Sequence, residues 1–135
     1  MPSIEHLRSA VFDTHVWIWF SAGHNRAEPL KPFKGQVLIS AISVWEVAML
    51  ANKGRIHLNP TVEDWIQANL DNPVSLEPLS AAISVESCRL PEFHGDPADR
   101  MIVATAGLIG VPLVTADGGI IKWNREHRYL RVIEV

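Results

Sequence analysis

The chain has 135 residues, 47% of them hydrophobic and 20% charged, a balance that fits one globular domain with its own core and excludes a disordered chain. A formal net charge of −3 gives no overall basic footprint for nucleic acid, so any contact with RNA or DNA must come from local basic groups. The single cysteine, Cys88, excludes an internal disulfide and a cysteine-rich zinc site, no stretch has the length of a membrane span, and the start carries no apolar signal core; a cytoplasmic protein is expected.

In chain order, "AVF" (10–12) and "QVLIS" (36–40) are short apolar runs that read as buried strands, each passing at once into helix-like sequence. "VPLVT" (111–115) and "LRVIEV" (130–135) read the same way, and "PVSLEPL" (73–79) is a weaker strand. Helices are predicted over 15–22, over 43–53 up to Gly54, over 61–71, over 80–89 and over 97–109 up to Gly110. Thr61, with Asp64 three residues on, comes close to a capping box. Strands alternating with helices through short connections predict an α/β sandwich around a mostly parallel sheet. A single domain over 1–135 is expected, with its core over about 10–135 and residues 1–9 as an extension.

Charges are scarce inside the apolar runs. Asp13 is the one formal charge between Ser9 and Asn25, Glu46 between Gly35 and Asn52, and Asp117 between Met101 and Ile121. An ionised carboxylate in a core costs several kcal/mol unless it is paired, protonated or metal-bound. Asp13 follows a strand, Glu46 lies in the helix after a strand, and Asp117 follows "VPLVTA", so all three fall on the carboxyl edge of the sheet, where open α/β folds bind ligands.

The stretch "HGDPADRMIVATA" (94–106) adds a fourth acid. Asp96 before Pro97 suits a helix N-cap, whereas Asp99 shares a face with Val103 and Ala106 of a nearly apolar helix. If that helix packs antiparallel to the sheet, Asp99 joins the same edge. Four converging acids repel one another and call for a divalent cation, and an all-oxygen donor set favours Mg²⁺ or Mn²⁺ over zinc. Ordinary structural roles stay open for each acid taken singly: a helix cap for Asp13, a turn for Asp117 before "GG", a buried arginine partner for Glu46, a dipole contact for Asp99.

These residues resemble those of the PIN-domain ribonucleases and, within them, the VapC-type toxins of toxin–antitoxin pairs. The matching pieces are "FDTHVWIW" (12–19), "SAISVWEVAMLANKGRIHL" (40–58), "LPEFHGDPADRMIVATA" (90–106) and "LVTAD" (113–117), in order across about residues 10–120. The resemblance implies a three-layer α/β/α fold and Mg²⁺- or Mn²⁺-dependent cleavage of RNA. It carries catalytic and metal-ligand roles onto Asp13, Glu46, Asp99 and Asp117, with Asp96 supporting them from behind. It also implies a VapB-type antitoxin whose tail covers the cleft, a homodimer, and a toxin–antitoxin hetero-oligomer. Two features depart from the pattern: the longer head before Asp13, and "GGIIKWNREHR" after Asp117, which lacks the expected aromatics.

Lys53, Arg55, Arg100, Lys122, Arg125 and Arg128 are candidates for backbone phosphates, with Arg100 alternatively balancing the acids. His15 and His94 flank proposed ligands and are candidates for touching substrate. Among the tryptophans, Trp45 is expected in the core, and part of the Trp17 and Trp19 pair at an interface. Two other functions compete: a receiver-like phosphoacceptor domain, which would need paired acids after the first strand and a well-placed lysine, and a non-catalytic member that only binds RNA or protein.

Overall fold

The computed structural model describes residues 4–135. Strand β1 (Ser9–Phe12) passes straight into α1 (Thr14–Ala22), a 3-10 turn (Asn25–Leu30) leads to β2 (Gln36–Ser40), and α2 (Ala41–Asn52) and α3 (Val62–Ala68) lead to β3 (Val74–Glu77). The chain continues through α4 (Ala81–Ser87) and α5 (Pro97–Ile109) to β4 (Leu113–Thr115), then through α6 (Gly118–His127) to β5 (Val132–Glu134). The five strands run in the order β3-β2-β1-β4-β5 and every neighbouring pair is parallel.

Alternation along the strands divides the core in two. Ala10 and Phe12, Val37 and Ile39, and Val114 face one cluster that takes in Val16 and Trp17 of α1 and Val47 of α2. Val11, Leu38 and Leu113 face the opposite cluster, which takes in Ile102, Val103 and Ala106 of α5 and Ile120 and Trp123 of α6. Helices therefore cover both faces, giving the expected α/β/α sandwich. Because parallel strands need crossovers, each helix returns the chain to the amino ends of the strands, and the carboxyl ends share one edge. The chain turns left from β1 to β2 and right from β1 to β4, so the crevice between β1 and β4 is the topological switch point.

The helix over 97–109 begins and ends where the sequence places it, capped by Asp96 and closed by Gly110 at φ 81°, a left-handed residue that glycine adopts without strain. Helix α2 starts two residues earlier than expected, because the Ser40 side chain caps it by accepting the Ile42 N–H. Helix α6 has no counterpart in the sequence prediction. Its opening Gly118-Gly119 reads as a turn, yet Asp117 caps it and Ile120 and Trp123 anchor it in the core. The segment before β1 is part of the domain rather than an extension from Ile4 onward: Ile4 is buried and Leu7 packs against the first cluster.

Of the Trp17 and Trp19 pair, Trp17 goes to the core and Trp19 stays half-buried, while Trp45, expected in the core, does not lie there. Trp17 is fully buried, its ring 5.1 Å from that of Trp65 and its Nε1–H donating to the Asn69 carbonyl at 3.0 Å. Trp45 stands exposed on α2, whose inward face is set instead by Ser43 and Val47 at helical spacing. Trp17→Ala is expected to lower the unfolding free energy by about 3–5 kcal/mol, read from urea denaturation, because a large buried side chain leaves a cavity that neighbours fill only in part.

Candidate active site

Each acid reaches the crevice through the local structure that follows a strand. Asp13, directly after β1, caps α1 by accepting the Val16 N–H at 3.0 Å through Oδ1. Its other oxygen accepts a short hydrogen bond from the Thr115 hydroxyl at the end of β4, across the switch point. The same Thr115 Oγ1 accepts the Asp117 N–H at 3.0 Å, and Asp117 in turn caps α6 by accepting the Ile120 N–H at 2.9 Å. Glu46, in the second turn of α2, accepts a hydrogen bond from the Thr14 hydroxyl, which also shares one with Ser43 at 2.8 Å. Asp96 caps α5 by accepting the Asp99 N–H at 2.8 Å.

The ordinary structural roles and the shared edge therefore coexist: Asp13, Asp96 and Asp117 are all N-caps, and their helices aim three positive dipole ends at one place. That place is a cleft of about 340 Å³ lined by Asp13, Glu46, Asp96, Asp99 and Asp117 together with Thr14, His15, Trp19, Ile102 and Ala116. Among the described residues no lysine or arginine lines it. Asp99 caps nothing, and among the described residues no hydrogen bond reaches its carboxylate; its carboxyl pKa is pushed up to about 7, first by burial and then by Asp96, Asp117, Glu46 and Asp13. Burial also raises Asp13, against the pull of its Thr115 and Val16 hydrogen bonds, and raises Glu46, against that of Thr14.

Among the described residues, no three acid, histidine or cysteine side chains stand close enough together to enclose an ion as placed. The carboxylates are nevertheless near enough that Asp96, Asp117, Glu46 and Asp13 all add to the effect of burial in raising the Asp99 carboxyl pKa. The donor set still fits a hard cation: all the charged groups are oxygen donors, they line one cleft, and Mg²⁺ keeps several of its waters while engaging one or two carboxylates directly.

The other sequence candidates divide. His15 lines the cleft. Arg100 does not face the acids: its guanidinium donates to the carbonyls of Phe93, Gly95 and Ser87, so it clamps the loop before α5 and has little left for a phosphate. Lys53 and Arg55 lie beyond the C-terminal end of α2, away from the cleft lining. His94 and Lys122 line a neighbouring cavity of about 350 Å³ beside Trp123, and Arg125 pairs with Glu134 at 3.0 Å. Sequence reasoning missed Thr14, Ser43 and Thr115, all buried. The available signal was a hydroxyl residue in an apolar run within three residues of an acid, as in "FDTH", "SVWE" and "VTAD".

The PIN domain profile matches residues 10–125. The chain belongs to the PIN-domain family. It is 34% identical to Ribonuclease VapC22 of Mycobacterium tuberculosis, over 96% of this chain and 99% of that one. A toxin–antitoxin complex from Klebsiella pneumoniae contains a chain 26% identical, superposing with a TM-score of 0.68 over 93% of this chain and 99% of the other. VapBC2 of Rickettsia felis, solved with a promoter DNA fragment, shares the fold at 17% identity, with a TM-score of 0.67 over 94% and 98% of the two chains.

Because Asp99 holds its proton more tightly folded, near pH 7, than at its ordinary value of 3.8, its contribution to stability is complete below about pH 4 and is lost as pH rises through 7. The cation-free protein is therefore expected to melt lower at pH 8 than at pH 5. Mg²⁺ should raise the melting temperature more at pH 8, and Asp99→Asn should flatten the pH dependence; a thermal-shift series reads all three.

Proposed function

We propose that the chain is a Mg²⁺- or Mn²⁺-dependent endoribonuclease, the toxin of a VapBC-type toxin–antitoxin pair in the cytoplasm. The observation that carries this reading is the set of five carboxylates around a single cleft at the switch point, without a lysine or arginine to balance them. The 34% identity to a protein named as a ribonuclease supports the reaction class. A bound divalent cation would polarise the scissile phosphate and bring a water to hydroxide-like reactivity near neutral pH.

The chain's own residues supply position and charge. Asp13, Glu46, Asp99 and Asp117 would hold the cation or its waters. Thr115 bonds the carboxylate of Asp13 and the backbone N–H of Asp117 at once, and Thr14 bonds the carboxylate of Glu46. Asp96 sets the first turn of α5 and so the direction of Asp99. Hydrolysis breaks one P–O bond, the attacking water oxygen joins phosphorus, and the departing ribose oxygen takes up a proton. The attacking water supplies the proton that balances the departing oxygen. Asp99, whose carboxyl pKa is pushed up to about 7, would have to be ionised to hold a cation, so cation binding would be favoured as pH rises. His15 at the rim is the histidine within reach of substrate in this cleft.

A VapB-type antitoxin is the proposed partner, supported by the toxin–antitoxin assemblies in which the structural neighbours were solved. A second copy of the chain is the other, supported by exposed Val85, Leu108 and Ile109 on the packed helices α4 and α5. No helix among the described residues is long and apolar enough to cross a membrane. The receiver-like reading is disfavoured by strand order, since a receiver runs 2-1-3-4-5 and this sheet runs 3-2-1-4-5. The non-catalytic reading is disfavoured because none of the four acids is lost.

Asp13→Asn and Asp99→Asn are each expected to lower RNA cleavage by about a thousandfold or more, with the far-ultraviolet circular dichroism spectrum unchanged, since each removes a negative charge that would hold the cation stabilising the transition state. EDTA should reproduce the loss and added Mg²⁺ or Mn²⁺ should reverse it. Cleavage that survives both variants and chelation would rule out the proposed chemistry.

A further inference from the structure

Four of the five tryptophans have ring partners: Trp17 and Trp65 have each other, Trp19 has His24 and the Arg26 guanidinium 4.4 Å above it, and Trp123 has Phe93, His127 and Tyr129. Among the described residues Trp45 has none, and 57% of it is exposed. It sits in a groove of about 400 Å³ with Ile42 and Met49 from its own helix and Pro97 and Ala98 from the start of α5. Glu46 and Asp96 form the groove's remaining wall, and both also line the acid cleft, so groove and cleft are continuous.

Charge narrows the choice of occupant. No lysine or arginine lines the groove, and two carboxylates border it, so a phosphate or an acidic segment is repelled. A flat, neutral, largely apolar body is not repelled, and one joined to a phosphate in the adjoining cleft is held beside the ring by the covalent chain. An unpaired nucleobase meets each requirement, and an exposed indole face stacks any base. We infer that Trp45 is a substrate-positioning residue, a platform on which one unpaired base next to the scissile phosphate stacks. This rests on the nuclease reading above.

The full-length chain carrying Asp13→Asn provides a non-cleaving background, and its affinity for a short, unstructured, fluorescein-labelled RNA is read by anisotropy in Mg²⁺. Adding Trp45→Ala is expected to weaken binding about tenfold, while Trp45→Phe keeps most of it, since stacking on one aromatic ring is worth about that factor. An abasic nucleotide scanned along the RNA should lose the same factor at one position in the Asp13→Asn background and lose nothing further once Trp45→Ala is present. Thermal unfolding checks that Trp45→Ala is folded, as expected for an exposed side chain.

RNA affinity indifferent to Trp45→Ala, equal abasic losses in both proteins, or no RNA binding by the background overturns the inference. So does a Trp45→Ala protein that keeps RNA but loses its antitoxin, which would assign the groove to a protein segment. Wild-type cleavage with Trp45-independent affinity leaves the nuclease reading standing and removes the platform. Trp45-dependent binding without wild-type cleavage does the reverse.

Discussion

The hydrogen bond from Thr115 to Asp13 holds together the feature on which everything else turns, because it joins the two strands at which the fold changes direction. A buried carboxylate at the end of β1 is unfavourable unless its oxygens are satisfied. Here one oxygen receives a helix N–H and the other a hydroxyl from β4, so both oxygens are satisfied by neutral donors. The hydroxyl that does this also receives the Asp117 N–H, which sets the start of α6. One threonine thus ties together the cap of one helix, the cap of another and the seam between β1 and β4.

Acids collected in this way oppose folding, and the protein counters them with backbone rather than with lysine or arginine. Three helix N-termini meet at the cleft, each capped by one of its aspartates, so partial positive charge is supplied in fixed positions. The compensation is incomplete at Asp99, whose carboxylate no N–H or hydroxyl reaches among the described residues and which burial, and then four neighbouring acids, push toward its neutral form. A lysine or arginine in the cleft would quiet that repulsion and would also take the place a substrate's counter-ion needs. The least stabilised acid is thus the one left open to whatever enters.

Much of this was readable in the sequence. Solitary charges in apolar runs pointed to Asp13, Glu46 and Asp117, strand–helix alternation put these three on one edge, and the apolar helix face shared with Val103 and Ala106 pointed to Asp99. The pairing of β1 with β4 was not readable, since strand order depends on which crossovers pack and leaves no local trace. Helix α6 escaped because Gly118 and Gly119 look like a turn and only Ile120 and Trp123 carry its packing. Trp45 was misplaced in the core, and Trp17 could not be told from Trp19, for a related reason. The stretch "VWIWF" is apolar all round, so periodicity cannot say which indole points inward, and in α2 the inward positions belong to the small Ser43 and to Val47. Thr14, Ser43 and Thr115 look unremarkable in the sequence and gain meaning once their partners are brought near.

The three capped helices start at the cleft and lead away from it, closing on left-handed residues at Gly23, Gly110 and Arg128. Chemistry therefore occupies their first turns, while their later turns and the loops beyond are under no such constraint. Substitutions in those distal turns and loops can reshape the outer surface without shifting the backbone that holds the carboxylates at the cleft.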